Sequence, residues 1–121
     1  PFRHGFTYNG HPVGAAVATA NLDIIEREGL LARAAATGER MLRGLAPLQE
    51  LPAVAEVRGV GLMLGIELVA GDAAQVAVGA RERGVIVRAT GQKIVMSPPL
   101  VIADGQADRI VEVVLAEVRR L

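Results

Sequence analysis

From Val13 onward, apolar residues recur at helical spacing. Val13, Val17, Ala20 and Ile24 are separated by four, three and four positions, one face of a helix that runs to about Glu28 and stops at Gly29. Pro12 suits the first helical position, because the amide donor it lacks is one that a helix start leaves unpaired anyway. A second helix is predicted beyond Gly29, with Leu31, Ala34, Ala35, Met41, Leu42 and Leu45 on one stripe and Arg33, Glu39, Arg40 and Arg43 elsewhere, until Pro47 ends it. After Leu51-Pro52 the period changes. Residues 54–57 read as a short strand, and Val60, Leu62, Leu64, Ile66 and Leu68 alternate over nine positions as a long one, whose other face carries Gly61, Met63, Gly65 and Glu67. Residues 73–83 read as a short Ala-rich helix closed by Gly84, and residues 85–88 and 94–96 as two hairpin strands around an Ala89-Thr90-Gly91-Gln92 turn. Ser97-Pro98-Pro99 forces an extended exit, and Asp104 can cap a last helix whose face is Ala107, Val111, Val114, Val118 and Leu121. The resulting order predicts an α+β fold: a small, mostly antiparallel sheet with helices packed on one face, preceded by a long helix and an irregular amino-terminal loop.

Composition narrows the function classes. The 121 residues suit one domain, and 51% hydrophobic content places the chain with folded proteins. Thirteen basic and thirteen acidic residues cancel, which gives no electrostatic case for nucleic acid or an anionic membrane as a partner. The chain has no cysteine, so disulfides, thiolate metal sites and a cysteine nucleophile are excluded; its two histidines cannot by themselves build a zinc site, and no metal is expected. No apolar run reaches the roughly 18 residues that would span a bilayer, and a cytoplasmic location is expected. An opening Pro1 in place of Met points to a longer parent polypeptide.

Candidate chemistry is concentrated at the amino end. The three aromatic residues, Phe2, Phe6 and Tyr8, lie within the first eight positions, close to both histidines, His4 and His11. Two glycines, two prolines and an Asn9-Gly10 turn make residues 1–12 a loop. Thr7, with glycine backbone beside it, has the hydroxyl and amides that suit a phosphate; a plain polar end is the competing reading. Arg58, in Arg58-Gly59-Val60-Gly61, is either an anion site or, more commonly for such a turn, the partner of a carboxylate. Arg88, at the end of an apolar stretch beside Thr90-Gly91, can grip a substrate carboxylate through two parallel hydrogen bonds or stand as a surface arginine. Lys93 is the only lysine, and its place near the start of a short exposed strand favours solvation over covalent chemistry. Carboxylates are spread singly along helix faces, and the residues alone supply no self-sufficient catalytic set.

Four segments, in order over nearly the whole chain, carry a family resemblance: PFRHGFTYNGHPVGAAVATANLDIIEREGL, VRGVGLMLGIELV, RERGVIVR and IVMSPPLVIA. The chain resembles the carboxy-terminal, small-domain part of class III aminotransferases, pyridoxal-phosphate enzymes of fold type I, in their ω-transaminase-like branch. The resemblance implies that residues 1–12 form a cofactor-phosphate and interface loop and residues 13–121 the small domain. It implies that the Thr7 hydroxyl and the Phe6 amide bind the cofactor phosphate of a second subunit, and that Arg88 binds the substrate carboxylate. It implies pyridoxal 5'-phosphate in the full-length enzyme, a large domain and a homodimer partner, and an amine or amino acid with a keto acid as substrates. The lysine that carries the cofactor, the acid that pairs with its pyridine nitrogen and the ring that stacks on it belong to the large domain in this family. Lys93 does not match that lysine. The chain is therefore expected to hold no catalytic residue and to bind no cofactor alone; the alternative is a non-catalytic interaction or regulatory domain of the same fold.

Overall fold

A computed structural model describes residues 5–121. It divides into two compact units, Pro1–Leu31 and Ala32–Leu121. His4, one of the candidate donors, lies outside the described residues.

In the first unit, the Asn9 amide donates to the Phe6 carbonyl at 3.0 Å and the His11 amide to the Tyr8 carbonyl at 3.4 Å, so the chain turns over residues 7–10. Helix α1 (Pro12–Arg27) then begins with Pro12 in its first turn, as expected. His11 serves as its cap: Nδ1 accepts a hydrogen bond from the Gly14 amide at 3.2 Å, satisfying a donor that the helix start leaves without a partner. None of the residues of α1 is buried.

The elements that follow are α2 (Leu30–Leu45), a 3-10 turn at Ala46–Glu50, β1 (Val54–Val60), β2 (Met63–Leu68), α3 (Ala73–Glu82), β3 (Arg88–Thr90), β4 (Lys93–Met96) and α4 (Asp104–Val118). The sheet has the order β1-β2-β4-β3 and every pair is antiparallel. Strands β2 and β3 therefore run the same way, with β4 between them and α3 making the crossover. One face of the sheet meets the helices in a single core that joins Val57, Leu64, Ile66, Ile94 and Met96 to Met41 and Leu45 of α2, Val76 and Ala80 of α3, and Val113 and Val114 of α4. This is the predicted α+β architecture, with helices on one side. Among the described residues, no helix is long and apolar enough to cross a membrane.

Four details depart from the sequence reading. The alternating run over residues 60–68 is not one strand: Val60 pairs with Met63, and Gly61-Leu62 turn the chain between β1 and β2. Gly61 has φ +52°, a value that favours glycine and marks the first position of a tight hairpin turn. Val60 therefore leaves the core and is 86% exposed. Second, Arg88 starts β3 rather than ending a strand, because Thr90 pairs with Lys93 and the turn shrinks to Gly91-Gln92. Third, the buried stripe of α2 runs through Ala34, Thr37, Gly38, Met41 and Leu45, and Leu31 and Ala35 face outward. Fourth, Ala103 precedes α4 and its amide donates to the Gln106 Oε1 at 3.0 Å, so Asp104 sits inside the first turn. There Asp104 and Asp108 both pair with Arg40 of α2, at 2.9 Å for Asp104.

Packing of α3 on α4 places a carboxylate inside. Glu117 is 6% exposed; its Oε1 accepts from Arg83 Nε at 2.8 Å and its Oε2 lies 3.2 Å from Arg120 Nη1. The carboxylate lies against Gly79, where a side chain would overlap it. Replacing Glu117 by alanine leaves two guanidinium groups without their acceptor and a void beside Gly79, and is expected to cost about 2–3 kcal/mol in urea unfolding. Glu117→Gln keeps the volume and is expected to cost about 1 kcal/mol. Equal losses for the two variants would show that volume contributes nothing.

Candidate functional site

Pairing register decides which side chains share the open face of the sheet. Strand neighbours directly opposite each other point the same way, so Arg88, Val95, Gly65 and Arg58 form one row across all four strands. Thr90, Lys93, Glu67 and Glu56 form the next row, and Val60 and Met63 face each other at the hairpin end. Two rows of charged and small residues thus cross a face that no helix of this unit covers.

The charges on that face are mostly paired. Arg58 Nη2 lies 2.9 Å from Glu67 Oε2, and its Nη1 donates to Glu56. The hydrogen bond with Glu67, then the charge of Glu56, raises the pKa of the Arg58 guanidinium above its ordinary value. Lys93 Nζ lies 3.8 Å from the other Glu67 oxygen. The expected pairing of Arg58 with a carboxylate is present, with two carboxylates in place of one. Arg88 makes no ion pair or side-chain hydrogen bond among the described residues, and it is exposed.

Beside Arg88 the edge of the sheet opens into a cleft of about 790 Å³. Val85, Val87, Met96 and Ile102 give it apolar walls, and Arg88 and Arg109 stand among its polar lining. Arg109 is held by Glu112 at 2.9 Å, which leaves Arg88 as the cleft's unneutralised cation among the described residues. A second cavity, of about 520 Å³, lies over the open face between Arg58, Met63, Gly65, Lys93 and Val95.

Phe6 and Thr7 share the exposed turn of the first unit. The Thr7 hydroxyl has no hydrogen-bond partner among the described residues. Arg88 belongs to the second unit. Sequence reasoning missed Glu56 and Glu67 as partners of Arg58. Their signal was the spacing of two between Glu56 and Arg58, with Glu67 two residues along the facing strand from Gly65, and it became readable only with the hairpin placed at Gly61-Leu62.

An antiparallel sheet with helices on one face and, among the described residues, one unneutralised guanidinium at the end of the other defines a small α+β module with an open side. The chain belongs to the class III aminotransferase family: the profile of the family described as Aminotransferase class-III matches residues 1–117. It is 42% identical, over 98% of its length, to an uncharacterised aminotransferase of Sinorhizobium fredii, and covers 28% of that protein. It is 38% identical, over 99% of its length, to acetylornithine aminotransferase 1 of Bordetella parapertussis, and covers 31% of it. Among solved structures it is similar to an amine transaminase from an uncultivated Pseudomonas species in the PLP-bound form, with a TM-score of 0.90, 39% identity, and coverage of 98% of this chain and 30% of that one. It is also similar to an (S)-enantioselective omega-transaminase from Thermomicrobium roseum, with a TM-score of 0.87, 44% identity, and coverage of 99% and 30%. The chain thus spans under a third of these relatives.

The residues present fit one part of pyridoxal phosphate and not the rest. A hydroxyl at Thr7 with turn amides beside it suits a phosphate. The single lysine, Lys93, is on the open sheet face with its Nζ 3.8 Å from Glu67 Oε1, so its amine is engaged with a carboxylate and is not presented as a free nucleophile.

Proposed function

We propose that this chain is the carboxy-terminal, small-domain part of a pyridoxal-phosphate-dependent class III aminotransferase, which moves an amino group between an amine or amino acid and a keto acid. The observation that carries this reading is a family match over residues 1–117 in a chain that covers only 23–31% of its relatives. Residues 1–12 are the loop that lends the Thr7 hydroxyl and the Phe6 amide to the cofactor phosphate of a second subunit in a homodimer, and residues 13–121 are the small domain. Arg88 takes the substrate carboxylate: among the described residues it is the free cation of the open face, and its planar donors match a carboxylate bidentately. When bound, the cofactor supplies the electron sink for the reaction; this chain supplies a phosphate contact, a carboxylate grip and a wall that excludes water.

It follows that the isolated chain does not transaminate. Mixed with stoichiometric pyridoxal phosphate and treated with borohydride, it is expected to show no cofactor-sized mass increase on Lys93 by peptide mass spectrometry. A full-occupancy adduct on Lys93 would overturn the reading that the cofactor-bearing lysine lies elsewhere. Adding a separately expressed large domain of a class III aminotransferase is expected to restore cofactor binding, and Thr7→Val is expected to weaken that binding about ten-fold through the lost phosphate hydrogen bond.

A further inference from the structure

The charge network on the open face has a geometry that bears on what Arg88 selects. Lys93 is the diagonal neighbour of Arg88: Arg88 pairs with Val95, and Lys93 is two residues before Val95 on the same strand and the same face. Diagonal neighbours in an antiparallel pair lie about 7–8 Å apart, a distance at which two cations act on one small anion. Arg58 stands in Arg88's own row but three strands away, about 14 Å by the spacing of strands. Lys93 is thus the cation placed to assist Arg88, and it faces Glu67 directly in the register.

We propose that Glu67 is a specificity-determining residue, which by holding Lys93 and Arg58 leaves Arg88 alone to receive a single carboxylate and so denies a dicarboxylate any advantage over a monocarboxylate. This rests on the reading of Arg88 as the carboxylate site. Its physical basis is charge count. One carboxylate needs one guanidinium, which Arg88 presents in a bidentate fork. A second carboxylate on the same small molecule has to find a second cation within a few ångströms. Lys93 is the candidate by distance, but Glu67, 3.8 Å from its Nζ, already neutralises it. The same carboxyl group holds Arg58 at 2.9 Å through its other oxygen, so one side chain withdraws two cations from the face. Glu56, on Arg58 alone, cannot take over at Lys93, because it lies one strand further out.

The test is a titration of the 121-residue chain with sodium propionate and with sodium glutarate at low ionic strength, in the wild type and in Glu67→Gln. Lys93 is the only lysine, so carbon-13 lysine labelling reports its Cε as a single NMR signal. In the wild type, glutarate is expected to bind no more than two-fold tighter than propionate and to leave the Lys93 signal unmoved. In Glu67→Gln, glutarate affinity is expected to rise about five-fold, propionate affinity less than two-fold, and the Lys93 signal to move with glutarate. Glu67→Gln combined with Lys93→Gln is expected to lose the gain. An unchanged glutarate affinity in Glu67→Gln, or a gain that survives loss of Lys93, would overturn the proposal while leaving the role of Arg88 intact. If instead Arg88→Gln leaves both acids binding as in the wild type, the reading of Arg88 fails and the proposal falls with it.

Discussion

Replacing Gly38 by alanine is expected to destabilise the protein by about 2–3 kcal/mol, although alanine is the better helix former by about 1 kcal/mol. Gly38 lies on the buried stripe of α2 with Ala34 and Thr37. A Cβ built there would overlap the Gly61 carbonyl, so the β1–β2 hairpin turn sits directly on the helix backbone. That neighbour is main chain, and it cannot swing aside as a flexible side chain would. Relief requires α2 or the whole hairpin to move, which would shift Val60, Met63 and the row that contains Arg58. Gly105, in the first turn of α4, supplies the control. A Cβ there meets nothing within 4 Å, so Gly105→Ala is expected to be neutral or to stabilise by up to about 1 kcal/mol. Urea midpoints at constant slope measure both. A Gly38→Ala variant within about 0.5 kcal/mol of the wild type would show that the hairpin does not rest on α2 as described.

That contact also explains what the sequence left unread. Leu62, Leu64, Ile66 and Leu68 are all buried, so the alternation was a true signal of burial. Continuing it back to Val60 made one strand of two, because period-2 alternation carries through a two-residue turn that places its second residue, Leu62, inward. The clue was Gly61, whose positive φ the turn requires, but a glycine in an Arg-Gly-Val-Gly run reads equally well as flexibility. On α2 the error was the reverse. Hydrophobicity alone points Leu31 and Ala35 inward and gives no sign of Thr37 and Gly38, though close approach of a backbone selects small residues over apolar ones. Helices α1 and α3 were legible because their limits rest on local chemistry: Pro12 at the start of one, and for the other the Asp72 side chain, which accepts from the Ala74 amide at 2.8 Å. Arg88 was legible as a residue and not as a site. That it has no partner among the described residues is a property of the folded charge network, in which Glu56 and Glu67 are spent on Arg58 and Lys93.

Arg88→Gln is expected to lower the affinity of the chain for a monocarboxylate such as propionate about ten-fold or more, the loss that follows when a charge-assisted hydrogen-bond pair is removed. Arg58 offers the sharpest comparison, since it lies in the same row, carries the same group and differs chiefly in its partners. Its guanidinium is already satisfied by two carboxylates that stabilise the charged form, so an incoming anion would have to displace one of them. The double variant Glu56→Gln with Arg58→Gln, which keeps the net charge of the face, is therefore expected to leave propionate affinity within about two-fold of the wild type. Chemical-shift titration distinguishes the two outcomes, because the Arg88 side-chain Nε–H signal should move with added propionate and the Arg58 signal should not. Equal losses in the two variants would mean that the face attracts anions by its summed charge, and no single guanidinium would then be the grip. A loss confined to Arg88→Gln, falling with added salt by less than a purely surface attraction would, locates the carboxylate at the start of β3, where the apolar cleft beside it removes competing water from the pair.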